Sequence, residues 1–364
     1  MVITSKAASH RLLGVQYLRA LAALMVAYYH LLQQSDAYLQ APSAHRWLTT
    51  DRLYNGVSIF FVISGFIMYV TGAESRPLEF AQRRLVRILP LYWLLTLTLF
   101  ACALLAPHLF RTIAASPEYL VKSLLFIPYP NPTADGRLFP LLAPGWTLNC
   151  EMFFYAIFMF ALFAPLRWRA ALIIAALGLL VALGLASPHS KLHSYYGFYT
   201  NVMMSQFLLG IVIGLFYRAK RLSIPAPLSV LLMLSGLILL FCPLGDFLNG
   251  DAADTLGATL LVLGTVALDK AWPFWRIPAL LGDSSYSIYL THLFTLGALR
   301  LIWVHAPHLR HLQSASAIFY AVVSMACICV VSVAVYRAVE QPILRASHRQ
   351  RPAPQSVRTA VARP

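Results

Sequence analysis

Two ionisable residues, Arg19 and His30, lie within the first long apolar run, residues 14–33. A charge within hydrocarbon costs at least about 2.5–3.5 kcal/mol, so ionisable residues inside a membrane span are candidates for function. Their spacing places both side chains on one helix face, about 16 Å apart along the axis. An imidazole can accept a proton from a hydroxyl group near neutral pH, and a guanidinium can bind a phosphate or carbonyl oxygen. The pair therefore indicates base catalysis beside an anion site, or else an interhelical hydrogen-bonding pair.

Two further ionisable residues, Glu151 and His292, lie well inside apolar runs. Estimates of helix depth place His30 and Glu151 near the outer membrane surface, and His292 near mid-depth. A carboxylate at the depth of His30 could orient its imidazole or hold an acceptor hydroxyl group. Glu151 is therefore expected to assist His30, whereas substrate binding and a purely structural role are both open for His292.

Three arginines, Arg83, Arg84 and Arg87, lie at the start of the third apolar run. Guanidinium groups this close together can bind the phosphates of a donor molecule. Because Tyr92 and Trp93 follow, a membrane-interface belt of basic and aromatic residues explains the same pattern equally well. The sequence has no Walker loop, Gly-x-Ser-x-Gly or His-x4-Asp motif, which argues against P-loop nucleotide hydrolysis and the common soluble hydrolase and acyltransferase mechanisms.

The composition indicates where these residues act. Of the 364 residues, 59% are hydrophobic and only 11% are charged, whereas soluble domains average about 25% charged residues. The apolar runs lack the alternating pattern of a barrel, so an all-α integral membrane protein is predicted. The net charge of +15 is attributed to basic residues facing anionic lipid, which argues against a nucleic-acid partner. The five cysteines show no spacing typical of a metal site or disulfide framework.

Ten runs approach the roughly 20 apolar residues needed to cross a bilayer. The first is interpreted as a retained span, because it is too long for a signal peptide and contains an arginine. With a cytoplasmic N-terminus, more than twice as many Lys and Arg residues fall inside as outside, which predicts that both termini are cytoplasmic. The predicted spans are residues 14–33, 54–72, 88–106, 146–165, 170–187, 199–217, 227–243, 254–269, 284–303 and 315–338.

Three segments follow from these spans: a cytoplasmic N-terminal segment (1–13), a transmembrane domain (14–342) and a basic, disordered cytoplasmic tail (343–364). The tail is rich in Arg, Pro and Ser and lacks an apolar periodicity. The longest outer loop, about residues 107–145, is either a lid or binding element or a simple connector. No internal repeat is visible, so an inverted-repeat transporter gains no support.

Five blocks and a closing tripeptide, in order along the chain, resemble the membrane acyltransferase-3 family. One residue departs from the family pattern: Ser58 stands where aspartate is usual, so position 58 is left out of the expected site. Within the family, the sequence around residues 126–155 looks closest to that of the exopolysaccharide-production O-acetyltransferases. The blocks are Arg19-x10-His30, NGVSIFFVISGF (55–66), RRLVRILPLYW (83–93), GWTLNCEMFFY (145–155) and LGDSSYSIYLTH (281–292), followed by Glu340-Gln341-Pro342.

The resemblance implies a ten-helix enzyme that transfers an acyl group, expected to be acetyl, from cytoplasmic acetyl-CoA to a hydroxyl of an exopolysaccharide or other cell-surface glycan. It implies that His30 and Arg19 are catalytic and that Glu151 supports them. From the residue spacing, no metal is expected to take part. The three-arginine cluster and Arg19 are expected to bind acetyl-CoA. The acceptor is expected to contact Trp146, Tyr286 and His292.

The implied location is the bacterial inner (plasma) membrane, which the chain crosses many times. The expected partners are the lipid bilayer, a glycan or lipid-linked saccharide acceptor, and polysaccharide assembly proteins. Some relatives carry an additional extracytoplasmic catalytic domain. Because this chain ends soon after the tenth run, transfer is expected to finish within the membrane domain or with a partner.

Two other functions fit part of the pattern. A transporter or flippase of lipid-linked saccharides also needs polar residues at several depths. A proton-coupled sensor or scaffold is a third option, and it should tolerate loss of the arginine cluster. Within the acyltransferase hypothesis, His30 could act as a general base or could carry the acyl group covalently.

Overall fold

The computed structural model describes residues 12–39, 50–110, 113–187, 192–242, 250–304 and 313–349. In these ranges the chain forms helices and turns, with one isolated bridge between Pro130 and Leu138 and no β-strand, so the predicted all-α fold is confirmed. The helices are α1 (Leu13–Leu39), α2 (Gly56–Gly72), α3 (Pro77–Leu105), α4 (Pro117–Leu124), α5 (Gly145–Ala161), α6 (Leu166–Ala186), α7 (Tyr195–Tyr199), α8 (Met203–Arg218), α9 (Ala226–Phe241), α10 (Gly250–Ala267), α11 (Arg276–Asp283), α12 (Ser285–Val304), α13 (Gln313–Val335) and α14 (Gln341–Arg349).

Each of the ten predicted runs coincides with a helix. Several of these helices, such as the 16-residue α9, are shorter than the roughly 20 residues that a full crossing needs. Ten crossings and cytoplasmic termini therefore stay predictions. In the described part of the chain, five helical stretches are long and apolar enough to cross a membrane: Arg52–Gly72, Pro77–Leu105, Leu166–Ala186, Tyr195–Arg218 and Ile318–Ser347.

Helix α6 has the surface expected of a helix at the lipid boundary. Of its 21 residues only Ile173 and Leu177 are buried, whereas leucines such as Leu172, Leu179 and Leu185 are exposed. A helix that is apolar on all sides and still exposed is typical of a hydrocarbon environment. The multi-pass membrane character inferred from composition is consistent with this surface.

Helix α2 lies inside the bundle and approaches α8 closely. A Cβ atom added to Gly65 would lie 2.1 Å from the carbonyl oxygen of Phe207, and one added to Gly210 would lie 2.1 Å from that of Val62. The two backbones are therefore in direct contact, as small residues permit in membrane helices. Because α2 also packs against α1, these glycines fix where α2 lies relative to the Arg19 and His30 face.

Replacing Gly65 by alanine should destabilise the protein by about 1–3 kcal/mol, because α2 and α8 must separate to admit the methyl group. Thermal unfolding in detergent would measure the change. The matched control is Gly178→Ala in α6, where an added Cβ atom meets nothing within 4 Å. The control should be at least as stable as wild type, since alanine is the better helix former. Equal melting temperatures for the two variants would contradict the close packing.

The predicted disordered tail begins within a helix. Residues 343–349 belong to α14, which follows a π-helical turn at Tyr336–Glu340. Pro342 is tolerated because it lies in the first turn of α14, where its missing N–H has no helical partner to lose. The disorder prediction is therefore wrong for residues 343–349. The rest of the tail and residues 1–11 of the N-terminal segment lie outside the described residues.

Candidate functional site

Two adjoining cavities lie inside the bundle, and α1 contributes to both. The Arg19 cavity, named after that residue, has a volume of about 270 Å³. The His30 cavity has a volume of about 580 Å³. Since α1 is continuous, its rise separates Arg19 from His30 by about 16 Å along the axis, as the spacing predicts. Val57 and Tyr289 line both cavities, so they lie at the junction between them.

The Arg19 cavity is rich in cations. Arg19, Arg84 and Arg87 line it together with one carboxylate, Glu151. The nearest hydrogen-bond partner of Arg19 is Gln16, whose Oε1 lies 3.4 Å from Nη1. The buried Nε of Arg84 has no hydrogen-bond partner in the described part of the structure. Because a buried unpaired donor is costly, Arg84 has bonding capacity that an anionic ligand could satisfy.

Glu340 neutralises one of these cations. Arg87 donates from Nη1 to Glu340 Oε1, and Ser287 Oγ donates to Glu340 Oε2 at 2.6 Å. The guanidinium also lies 5.5 Å from the centre of the Tyr286 ring. Glu340 is the last residue of the π-helical turn, and such turns often re-aim side chains at functional sites. Glu340 had no role in the predicted site, although the closing tripeptide of the family pattern contains it.

Arg83 lies apart from the other two arginines of its cluster. It donates to Glu79 Oε1 at 2.8 Å and to Ser75 Oγ, and it lines neither cavity. The reason is the 100° turn between neighbouring helical residues, which directs Arg84 and Arg83 to different faces of α3. The predicted three-arginine donor site is thus reduced to Arg84 and Arg87, joined by Arg19.

Glu151 does not lie beside His30, contrary to the expectation from depth. It lines the Arg19 cavity, where it accepts hydrogen bonds from Ser64 Oγ at 2.8 Å and from the hydroxyl of Tyr155. Glu151 and Tyr155 are four residues apart on one face of α5, whereas Trp146 at the start of α5 lines the His30 cavity. Depth alone therefore placed Glu151 near His30, but the direction of the helix face separates them.

His30 has a second imidazole as its neighbour. The rings of His30 and His292 are stacked, with centroids 5.1 Å apart and an interplanar angle of 25°. His30 Nδ1 lies 3.2 Å from Gln33 Oε1, and Gln33 in turn donates to the hydroxyl of Tyr29 at 2.7 Å. His292 is buried, and its Nε2 has no hydrogen-bond partner among the described residues. His292 therefore contacts the predicted base directly.

Aromatic side chains form one wall of the His30 cavity. Trp146 stacks with Tyr54 and with Phe139, at centroid distances of 6.2 Å in both pairs. The guanidinium of Arg137 lies over the ring of Phe139, 5.0 Å from the ring centre. Phe139 and Arg137 belong to the loop predicted to lie outside (about residues 107–145), and their place in the cavity lining supports the binding-element alternative over a simple connector. The predicted acceptor residue Trp146 is thus on the His30 side, as expected.

Polar side chains outside the predicted site also line the His30 cavity. Gln206 Nε2 donates to Ser58 Oγ at 3.0 Å and to Thr255 Oγ1 at 3.2 Å, while its buried Oε1 has no partner among the described residues. Asn55 Nδ2 donates to Asp254 Oδ1 at 2.9 Å. The signal in the sequence was the amide of Gln206, which is followed by eleven residues that are all aliphatic, aromatic or glycine. Position 58, set aside because it departs from the family pattern, lines the cavity.

Tyr286 is separated from the other residues expected to bind the acceptor. It lines the Arg19 cavity and donates to the carbonyl oxygen of Ile88 at 2.8 Å. Tyr289, one helical turn later, reaches the junction of the cavities instead. The geometry therefore associates Tyr286 with the arginines, not with Trp146 and His30.

Comparison with known proteins identifies the family of the chain. A family model described as an acyltransferase domain matches residues 12–337. The chain belongs to the acyltransferase-3 family. This confirms the resemblance inferred from the ordered blocks, and the protein is accordingly an O-acyltransferase enzyme.

Two relatives in this family are similar to most of the chain. The exopolysaccharide production protein ExoZ of Rhizobium meliloti (strain 1021) is 36% identical over 309 residues, which cover 81% of this chain and 91% of that protein. The acyltransferase MdmB of Streptomyces mycarofaciens is 27% identical over 369 residues, which cover 94% of each chain. No solved structure matches the chain.

Proposed function

We propose that this family member is a multi-pass O-acyltransferase of the bacterial inner membrane, transferring an acetyl group from acetyl-CoA to a hydroxyl of an exopolysaccharide or other cell-surface glycan. The observation that carries the proposal is that one helix, α1, presents Arg19 to one cavity and His30 to the adjoining one. The relative ExoZ, an exopolysaccharide production protein, supports a polysaccharide acceptor. The bundle is proposed to cross the membrane ten times with both termini in the cytoplasm.

The Arg19 cavity is the proposed donor site. It is lined by residues from the start of α1 and by arginines of α3, and the distribution of basic residues supports a cytoplasmic position for both segments. Glu340 neutralises Arg87, so Arg19 and Arg84 supply the excess positive charge for the phosphates or the thioester of acetyl-CoA. Glu151 holds Ser64 and Tyr155 in the wall of the same site.

The His30 cavity is the proposed acceptor site. A sugar ring packs well against aromatic rings, and the half-buried Tyr54 and Phe139 line this cavity beside Trp146. The sugar hydroxyls can bond to exposed polar side chains of the lining such as Gln33.

In the reaction, the acceptor oxygen attacks the thioester carbonyl carbon while His30 takes the hydroxyl proton. The carbon–sulfur bond then breaks, the ester forms, and CoA leaves as a thiol after taking a proton back. The alternative has two steps: a nitrogen of His30 attacks the thioester, so that a carbon–nitrogen bond forms, the carbon–sulfur bond breaks and CoA leaves as a thiol. The acceptor oxygen then attacks the acetyl-imidazole, the ester forms, the carbon–nitrogen bond breaks and His30 is regenerated.

Replacing Arg84 by alanine should raise the KM for acetyl-CoA about tenfold or more, because a charge-assisted hydrogen bond of about 1.5–3 kcal/mol is lost from the donor site. Initial rates at varied acetyl-CoA concentrations would measure this. The matched control is Arg83→Ala, which removes the same side chain from the neighbouring position outside both cavities. Equal increases in KM for both variants would contradict the proposed position of the donor.

The proposal is tested by incubating the purified protein in liposomes with radiolabelled acetyl-CoA and a cell-surface polysaccharide preparation. The expected result is alkali-labile label on the polysaccharide, together with thermal stabilisation of the protein by CoA. Movement of a lipid-linked saccharide across the liposome membrane without CoA would instead indicate a flippase. Absence of both CoA stabilisation and label transfer would overturn the proposed function.

A further inference from the structure

The two cavities share two lining residues, Val57 and Tyr289, and we call this junction, at a level of α1 between Arg19 and His30, the constriction. Both residues are buried, with exposed fractions of 2% and 7%. Val57 directly follows Gly56, and a Cβ atom added to Gly56 would lie 2.5 Å from the carbonyl oxygen of Ala22. Ala22 comes three residues after Arg19. The start of α2 therefore contacts α1 between the level of Arg19 and the level of His30.

Both sides of the constriction are held in place. On the α2 side, no atom fits between Gly56 and α1, so Val57 has little freedom to move away. On the α12 side, the hydroxyl of Tyr289 donates to the carbonyl oxygen of Pro144 at 3.2 Å and lies 2.7 Å from Thr147 Oγ1. The ring of Phe60 packs edge-on against Tyr289 at 5.9 Å. The width of the passage is therefore set by packed side chains that cannot easily adapt.

We propose that Val57 and Tyr289 form an acyl-size filter, which admits an acetyl group from the Arg19 cavity to the His30 cavity and excludes longer acyl chains. The inference rests on the proposed function, because it assumes that the donor enters the Arg19 cavity and the acceptor the His30 cavity. A short acyl group must reach the constriction to meet a hydroxyl activated by His30, and each added methylene has to fit between two fixed side chains. Rigid apolar walls of this kind discriminate by about 10–200-fold per methylene.

The decisive experiment compares acetyl-CoA, propionyl-CoA and butyryl-CoA as donors for wild type, Val57→Ala and Val62→Ala. Val62 is a buried valine of the same helix that lines neither cavity, so its variant controls for loss of packing. Wild type should prefer acetyl-CoA to propionyl-CoA at least tenfold in kcat/KM. In Val57→Ala this preference should fall at least tenfold, and in Val62→Ala it should stay at the wild-type value. Stabilisation of each variant by CoA and by butyryl-CoA gives a second readout, and only Val57→Ala should gain stabilisation by butyryl-CoA.

The outcomes separate the filter from the function on which it rests. If all three proteins bind CoA and transfer acetyl groups, and all three prefer acetyl-CoA to propionyl-CoA by the same factor in kcat/KM, the filter is overturned and the proposed function stands. If wild type neither binds CoA nor transfers any acyl group, the proposed function fails and the filter fails with it. If Val57→Ala does not fold, Val57→Ile supplies the opposite test, because an added methylene should reduce propionyl transfer at least tenfold more than acetyl transfer. An unchanged ratio in Val57→Ile would equally overturn the filter.

Discussion

Replacement of His30 by alanine should lower acetyl transfer by about 10²–10⁴-fold, the contribution typical of a positioned general base. His30 lines the cavity proposed for the acceptor, and its ring is oriented by the stacked His292 and by Gln33. Because the donor site lies on the other side of the constriction, the KM for acetyl-CoA should change little. The measurement is the rate of label transfer from acetyl-CoA to polysaccharide, at equal amounts of protein in the membrane.

Two comparisons make the result specific to His30. His108→Ala removes an exposed imidazole that lines neither cavity and should behave like wild type. Mass spectrometry after incubation with acetyl-CoA, without acceptor, distinguishes direct transfer from transfer through His30. An acetylated His30 peptide indicates a covalent intermediate. Full acetyl transfer by His30→Ala at normal expression would exclude His30 from the chemistry.

Replacement of Arg87 by alanine should destabilise the protein by about 3–5 kcal/mol, because it leaves the buried carboxylate of Glu340 without its ion-pair partner. The Glu340 side chain is only 3% exposed, and apart from Arg87 its other hydrogen-bond partner is the neutral hydroxyl of Ser287. Thermal unfolding in detergent measures the loss. The paired variant Arg87→Met with Glu340→Leu removes both charges and should recover most of the stability.

An exposed ion pair provides the control for this effect. Arg218 forms an ion pair with Glu74, whose side chain is 64% exposed. Arg218→Ala should therefore cost less than about 1 kcal/mol, since water solvates the remaining carboxylate. If Arg87→Ala were as stable as Arg218→Ala, the buried pair between α3 and the π-helical turn would not be a structural link. If the double variant were no more stable than Arg87→Ala, the loss would come from packing and not from the unpaired charge.

Local helical geometry explains why much of the site could be predicted. Arg19 and His30 belong to one continuous helix, so an angle of 100° per residue is enough to place them on one face, at opposite ends of a 16 Å path. The same rule applies to Glu151 and Tyr155 on α5, and to Tyr286 and Tyr289 on α12. The cost of placing a charge in hydrocarbon distinguished the ionisable residues, such as Arg19, His30 and Glu151, from the apolar residues around them. Composition and periodicity likewise predicted the all-α fold correctly.

Partners on different helices could not be predicted in the same way. Depth in the membrane suggested that Glu151 would meet His30, but α5 turns Glu151 toward Arg84 and Arg19, and His292 from α12 occupies the place beside His30. Which faces of two helices meet depends on close backbone contacts such as the one at Gly65, and these join residues far apart in sequence. The pairing of Glu340 with Arg87 depends on tertiary structure too, because the π-helical turn directs the Glu340 carboxylate toward a residue far away in the sequence.

The sequence by itself determined the chemical groups, the helices that carry them and their order along α1, because these follow from residue type and from the fixed rise and turn of a helix. Only the tertiary structure decided that the groups are divided between two cavities and that Val57 and Tyr289 lie at the junction between them. That division arises where several helices pack against one another. Contacts at such a place are set by the shapes of all the neighbouring side chains together and are not encoded in any one segment.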